Sequence, residues 1–333
     1  MKNNRPIIIW LFTGFFLVFA MVIIGGITRL TGSGLSMADW KPIMGAVPPM
    51  NEAQWMDKFE LYQQTPEFEK VNSSFTLSEF KSIFWWEFIH RLLGRVIGIV
   101  FIIPFIVFWI KKKFDKPLMK KMLIIFVLGG LQGLLGWYMV KSGLVDKPHV
   151  SHFRLAAHLL TALSVMMYIL WVILDIVFPN RESTQSTKFK KVALLFLGLI
   201  ILQITYGALV AGLKAGFMYN TFPKMGSNWV APDVGERGIS GLLSNGATVQ
   251  FIHRMLGLLL FVLAPIVLIF TRKENVVGRQ NRGILFLNIS IGVQVLLGIF
   301  ALLYVVPVSL GVIHQAVAVV VLSASVYFLH QSK

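Results

Sequence analysis

The chain contains no cysteine. Disulfides, Cys-ligated zinc, Cys-ligated iron–sulfur clusters and covalent attachment of a c-type haem are therefore excluded. Charge is scarce as well. Asp, Glu, Lys and Arg make up 14% of the 333 residues and 56% are hydrophobic, whereas a soluble domain carries about 25% charged residues. Among the charged residues the acidic ones are the scarcer, 15 against 31 Lys and Arg, for a formal net charge of +16. An excess of that size raises the question of nucleic acid, whose footprint is one basic face or stripe. Here the basic residues cluster instead in short loops between apolar runs: "KKKFDKPLMKK" (Lys111 to Lys121), "KFKK" (Lys188 to Lys191) and "RKENVVGRQNR" (Arg272 to Arg282). That is the positive-inside pattern of a membrane protein. The expected partner is the lipid bilayer and not a nucleic acid.

Several apolar runs reach the ~20 residues needed to cross a bilayer core, and at that length helices are the spanning element. Hydropathy predicts about eight spans: Ile7–Ile27, Trp85–Ile110, Met122–Val140, Phe153–Phe178, Val192–Ala211, Val249–Phe270, Ile284–Val306 and Leu310–Leu329. The fold class expected is all-α integral membrane. Lys2, Arg5 and the three basic loops place both termini in the cytoplasm. "MKNNRP" runs straight into an apolar segment too long for a signal-peptide core, so the first span is expected to stay as an anchor in a bacterial plasma (inner) membrane. Two outer loops are long, Thr28 to Phe84 and Gly212 to Gly246. The first is polar and aromatic and is expected to hold short helices. Within it "TLSEF" reads as a helix start, with Thr76 capping and Glu79 three residues on.

The two halves resemble each other. Each begins with a span leading to a glycine-rich outer segment, "GGITRLTGSGLSMADWKPIMG" or "GALVAGLKAGFMYNTFPKMG". Each continues with a span opened by "FIHR", a span containing "LQGLLGWY" or "VQVLLGIF", and a span with one histidine near its start. Four spans per repeat is an even number, so the repeats are expected to share one orientation, as two parallel four-helix bundles. The expected division is residues 1–180, with the long outer loop 28–84, and residues 190–333.

Four of the seven histidines, His90, His158, His253 and His314, fall in the first turns of spans two, four, six and eight. They are predicted to lie at matched depth near the outer face. His330 lies at the opposite end, and His149 and His152 in or beside a short outer loop. A lone histidine at a helix end is usually a solvated or hydrogen-bonded side chain. Four at one depth, paired by a repeat, point to function. Zinc is usually bound with closer spacing, or with carboxylates and thiolates. Facing imidazoles in apolar surroundings suit haem iron. The pairs expected are His90 with His158 and His253 with His314, with His152 the competitor for His158. Four residues after each histidine stands a small residue, Gly94, Ala162, Gly257 or Ala318. Two uses are open for these residues, the seat of a flat macrocycle or ordinary helix packing. Arg91 and Arg254 follow the "FIHR" histidines, where they either pair haem propionates or snorkel to the interface.

The copies differ at one telling place: Glu87 in the first is Gln250 in the second. Glu87 lies three residues before His90 on the same helical face. Burial of a carboxyl there would favour proton transfer, which Gln250 cannot perform. The first unit is thus the candidate for chemistry and the second for a permanent electron-transfer haem. The other reading pairs Glu87 with Arg91 or Lys81.

The segments "GGITRLTGSGLSMADWKPIMGAVPP", "FELYQQTPEFEKVN", "EFKSIFWWEFIHRLLGR", "LGGLQGLLGWYMVKSGL", "HFRLAAHLL", "GALVAGLKAG", "FPKMG" and "QFIHRMLG" resemble the haem A synthase family, in its mitochondrial and alphaproteobacterial type. The resemblance spans nearly the whole chain. It implies an inner-membrane oxidoreductase that converts the C8 methyl of haem O to a formyl group by successive hydroxylations. It also implies a haem O synthase and cytochrome oxidase assembly as partners, and an electron donor that it does not identify. By motif match, Glu87 corresponds to the family's catalytic glutamate. His90 and His158 correspond to the substrate-side histidines, and His253 and His314 to the ligands of a haem B cofactor. Some members carry cysteine pairs in the outer loops, and this chain has none, so no thiol step operates in it. Two other classes compete, a di-haem b-type electron carrier and a repeat-built transporter. Broken helices with midplane charges mark the latter. Here the charges lie at the outer ends.

Overall fold

The computed structural model describes residues 4–38, 44–141, 150–179, 187–272 and 278–332. His149, the "DWKPI" part of the first outer loop and residues 273–277 of the third basic loop lie outside the described residues. The described chain is helical: α1 (Arg5–Leu30), α2 (Glu52–Gln63), α3 (Pro66–Lys70), α4 (Leu77–Ile110), α5 (Lys116–Lys141), α6 (His152–Val177), α7 (Thr187–Gly212), α8 (Gly238–Ser244), α9 (Gly246–Arg272), α10 (Gly278–Leu303) and α11 (Val308–Gln331). Among the described residues eight of these, α1, α4 to α7 and α9 to α11, are long and apolar enough to cross a membrane. They coincide with the eight spans read from hydropathy.

The main difference is at α4. Hydropathy starts the second span at Trp85, but the helix starts at Leu77 and runs for 34 residues. At 1.5 Å per residue that is about 51 Å, against a hydrocarbon core of ~30 Å. Several turns therefore stand clear of the core. The start is set by a capping box: Glu79 Oε2 accepts from Thr76 N at 2.8 Å, and Thr76 Oγ1 accepts from Glu79 N at 3.4 Å. The short helices expected in the outer loop are α2 and α3, capped by Asn51 and Thr65.

These short helices rest on the projecting part of α4. Trp55, Phe59 and Tyr62 line one face of α2, and Phe80, Ile83, Phe84 and Phe88 one face of α4, at the three- and four-residue spacings that put side chains on a common stripe. Tyr62 stacks on Phe80 at 5.1 Å, and Trp55 meets Phe84 edge-on at 5.0 Å. Burial pushes the Tyr62 hydroxyl up to about 12, so it stays neutral and accepts from Asn72 Nδ2 at 2.7 Å.

The chain divides into two compact units, one formed by Thr13–His158 and the other by the first turns of α1 together with the residues after His158. In the second unit α7 packs on α9, α9 on α10, α10 on α11, and α11 back on α7. These four helices close a ring. Gly283 of α10 lets the Tyr327 ring of α11 approach to 3.1 Å of where a Cβ would stand. The turn joining α10 to α11 holds Val305 and Val306 at φ +59° and +51°, a conformation costly for β-branched residues. Asn220 Nδ2, from the segment after α7, donates to Leu302 O at 2.9 Å beside that turn. At the far end of the unit, His330 Nε2 lies 3.0 Å from Asp175 Oδ1, and its ring meets Trp171 edge-on at 5.0 Å.

Trp55→Ala removes the centre of the aromatic platform. Truncating a buried Trp costs about 3–5 kcal/mol, more than two short helices recover alone. Limited proteolysis of the purified protein should then cut between residues 44 and 76 while leaving the spanning helices intact; resistance equal to wild type would mean the platform is held otherwise.

Candidate functional site

The four histidines singled out by the repeat share one kind of surrounding. Each rings up against a glycine of a neighbouring helix: His90 on Gly25 of α1, His158 on Gly136 of α5, His253 on Gly207 of α7, His314 on Gly298 of α10. A Cβ added at Gly136, Gly207 or Gly298 would stand 2.9, 3.1 or 2.9 Å from the Cε1 atom of its histidine, and one at Gly25 would stand 3.3 Å from His90 Nε2. At Gly136 and Gly298 a Cβ would force the ring to shift, and at Gly207 and Gly25 the ring would have to give by a few tenths of an ångström. The seats carry a spacing visible in hindsight: "MVIIG", "QGLLG", "QITYG" and "QVLLG", with Met21, Gln132, Gln203 or Gln294 one turn before the glycine. Sequence reasoning used two of these stretches as repeat markers. It used Gly25 and Gly207 only as the first residues of the two glycine-rich segments, and it missed the role of all four.

The residues before the seats supply polar contacts. Gln132 Nε2 lies 3.1 Å from His158 Nδ1 and donates to His158 O at 2.9 Å. His253 Nδ1 lies 3.2 Å from the carbonyl of Gln203, to which it donates, so Nε2 is the ring nitrogen left without a proton. The Gln294 amide lies 3.3 Å from His314 Nε2, while His314 Nδ1 is buried without a partner. His90 takes no hydrogen bond among the described residues. The His253 and His314 rings face each other with centroids 6.5 Å apart, crossed at 82°. His90 and His158 lie within electrostatic reach of each other. His152 opens α6 six residues before His158, and it is His158 that occupies the glycine seat.

The Glu87/Gln250 difference has a clear setting. Glu87 is 3% exposed. Its Oε2 accepts from Ser36 Oγ at 2.8 Å and from Met37 N at 2.7 Å, and its Oε1 pairs with Arg91. Arg91 also donates to Met37 O at 3.2 Å. Of the two ion pairs open at the sequence level, the one with Arg91 is present; Lys81 lies over the Trp55 ring instead, 5.3 Å from its centroid. The second copy repeats the device with neutral chemistry. Gln250 Nε2 and Arg254 Nη2 both donate to Tyr219 O, at 3.1 and 2.5 Å, and Arg254 Nη1 reaches Thr221 O at 2.9 Å. In each copy residue 87 or 250 and the arginine one turn on pin the segment that follows the preceding long helix. Gln250 Oε1 and Arg254 Nε are buried with no partner. Gly94 and Gly257, two of the small residues after the histidines, face Met21 Cε at 3.5 Å and Gln203 Nε2 at 3.3 Å from an added Cβ. Both serve close helix packing.

Residues 8–326 match the model of the COX15-CtaA family, cytochrome oxidase assembly protein. The chain belongs to this family. It is similar to the "Heme A synthase" of Nitrosospira multiformis, 45% identical over 98% of this chain and 94% of the relative. The "Heme A synthase" of Flavobacterium psychrophilum is 44% identical over 99% of both chains, and that of Caulobacter vibrioides 42% over 98% and 96%.

The residues of this COX15-CtaA protein fit a haem at the second pair. With metal–nitrogen bonds of about 2.0–2.1 Å, two imidazoles on one metal place their ring centroids roughly 6–6.5 Å apart, as His253 and His314 do. The buried orphan at His314 Nδ1 is a further sign of a group with a use for that ring. Gly298→Ala puts a Cβ 2.9 Å from His314 Cε1, so the ring must turn out of place. Disturbing the support of a metal-ligating histidine typically costs about 10–100-fold in affinity. The purified variant should show a low ratio of haem absorbance to protein. Gly292→Ala, on the same helix with nothing within 4 Å, should keep the wild-type ratio.

Proposed function

We propose that this chain is a haem A synthase, oxidising the C8 methyl of haem O to the formyl group of haem A. The observation that carries the reading is the asymmetric duplication: two histidine pairs built alike, only one of them beside a carboxylate. Identity above 40% to curated haem A synthases over nearly the full chain supports it. In this reading residues 1–180 and 190–333 are two repeats of one orientation, the first handling substrate and the second holding haem B between His253 and His314. That haem, when bound, supplies one-electron transfer. His90 and His158 hold the substrate haem O. The histidine sites face the outer side of the inner membrane, with both termini in the cytoplasm. A haem O synthase must supply the substrate, and cytochrome oxidase assembly consumes the product.

Glu87 acts at the substrate. Its carboxylate meets only donors, from Ser36, Met37 and Arg91. Those contacts hold it in one orientation, a turn from His90 on the same face of α4. A fixed carboxylate there favours positive charge developing on the reacting methyl carbon and can receive the proton released from it. Arg91 positions the carboxylate. Arg254, with its buried Nε unpartnered, is the better placed of the two arginines to meet a haem propionate. The di-haem carrier reading leaves Glu87 only its structural contacts with Arg91, Ser36 and Met37.

Two experiments test this. Glu87→Gln keeps the size but replaces one accepting oxygen by an amide donor, and the second copy carries a glutamine, Gln250, one turn before its own arginine, Arg254. The variant should fold and load with haem, yet lose about 10²–10⁴-fold in rate and accumulate haem O or a hydroxylated intermediate, read by chromatography after co-expression with a haem O synthase. Near-normal haem A would return Glu87 to a purely structural ion pair. His253→Ala and His314→Ala should each deplete resident haem B; unchanged spectra and stoichiometry in both would remove the cofactor assignment.

A further inference from the structure

We propose that the groove between α9 and α10 is a binding site for a lipid hydroquinone, a ring bearing two hydroxyl groups on an apolar tail. The proposal goes beyond the haem reading and does not depend on it. The groove holds about 510 Å3, and its lining includes Phe261, Ala264 and Pro265 of α9 and Asn288 and Ile291 of α10. That is an ordinary volume for a small-molecule site. Ala264 and Ile291 are buried, while Phe261, Val262 and Ile266 are exposed. On helices long and apolar enough to cross a membrane, an exposed side of this kind meets lipid.

The first copy shows what the second lacks at this place. With His90 set against His253 and Gly136 against Gly298, Phe101 falls opposite Ala264 and Phe126 opposite Asn288. Phe101 and Phe126 stack with centroids 6.2 Å apart at 21°, and Phe105 extends the stack, 6.3 Å from Phe126 at 9°. The second copy has a methyl and an amide where the first has a pair of packed rings. The groove lies at just these two residues. Its space is therefore that of flat rings, which the first copy fills with its own side chains.

The polar atoms of the groove are mostly acceptors. Asn288 Nδ2 donates to Ile284 O at 2.9 Å, and Asn288 Oδ1 takes no hydrogen bond among the described residues. Pro265 stands inside α9 without an N–H, so the carbonyl of Phe261, four residues earlier, loses its helical donor. Acceptors without donors are costly at hydrocarbon depth. A hydroquinone answers each feature. Its hydroxyls donate to the acceptors, its ring takes the place of the missing phenyls, and its tail leaves through the exposed side into the lipid. An acyl chain fills the space but donates nothing, and a quinone brings only acceptors of its own. Hydroquinones are the class to which lipid-soluble reductants belong, which bears on the electron donor that the sequence does not identify.

The test uses the full-length protein in phosphatidylcholine vesicles. The probe is a benzohydroquinone whose decyl tail carries a photoreactive diazirine, and labelled peptides are mapped by mass spectrometry. Label should collect on the peptides that hold residues 261–266 and 288–291. Plain decyl hydroquinone should displace it, the corresponding quinone more weakly, and decane not at all. Ala264→Phe, which restores a ring of the first copy, should abolish that labelling. Asn288→Leu should weaken it by roughly 2–10-fold, the worth of one hydrogen bond. Ile269→Phe, on the same helix and outside the groove, should leave it unchanged. A single gel-filtration peak reports that each variant is folded, and Asn288→Leu decides the matter alone if Ala264→Phe fails that check. Displacement by decane as efficient as by the hydroquinone would assign the groove to an acyl chain and overturn the proposal. So would wild-type labelling of a folded Ala264→Phe or Asn288→Leu, stronger displacement by the quinone, or no label on these peptides.

Discussion

The close approach of paired helices at the histidines is the constraint on which the rest depends. At Gly136, Gly207 and Gly298 an imidazole occupies the volume that a Cβ would need. Such an approach fixes three things together: the separation of two helices, their relative height, and the plane of the ring. In a bilayer, where apolar burial does not by itself drive helices together, small residues are what let backbones approach. Here the small residue also leaves room for an imidazole of the neighbouring helix. The ring of contacts among α7, α9, α10 and α11 and the 6.5 Å separation of His253 and His314 are consistent outcomes of the same fit.

The duplicated arginine device shows two similar local scaffolds that differ in charge at one position, Glu87 against Gln250. Both arginines clasp the outer segment through backbone carbonyls, Met37 O in one copy and Tyr219 O in the other. What changes is the residue one turn earlier. A carboxylate beside Arg91 gains an ion pair and two further donors, so a buried charge is well compensated. An amide beside Arg254 leaves an oxygen without a donor. Removing the carboxylate from the second copy leaves its scaffold in place and its imidazoles free of a neighbouring acid.

Much of this was legible in the sequence, for identifiable reasons. Apolar run length marks a spanning helix regardless of tertiary context, so all eight long helices were readable. Thr76 and Glu79 mark a helix start through local hydrogen bonds, so the true beginning of α4 was readable even though hydropathy placed the span from Trp85. The four histidines stood out because a repeat aligned them. The seats did not, because Gly25 and Gly207 look like any glycine in an apolar run until a neighbouring helix brings a ring against them. Likewise the choice between Arg91 and Lys81 as partner of Glu87 turned on where Trp55 sits, since its ring draws Lys81 away.

Continuity of α4 from Leu77 to Ile110 sets a rule for how this part of the chain can vary. Helical residues are spaced roughly 100° apart around the axis. Phe80 and Phe84 face the outer platform, and Glu87 and His90 lie further along the same rod. Adding or deleting one residue between Phe84 and Glu87 would swing the platform about a quarter turn away from the face that bears the imidazole, and only a change by a whole number of turns would restore the phase. These few residues behave as a keyed shaft, in which an insertion changes the phase between the platform and the imidazole while a substitution does not.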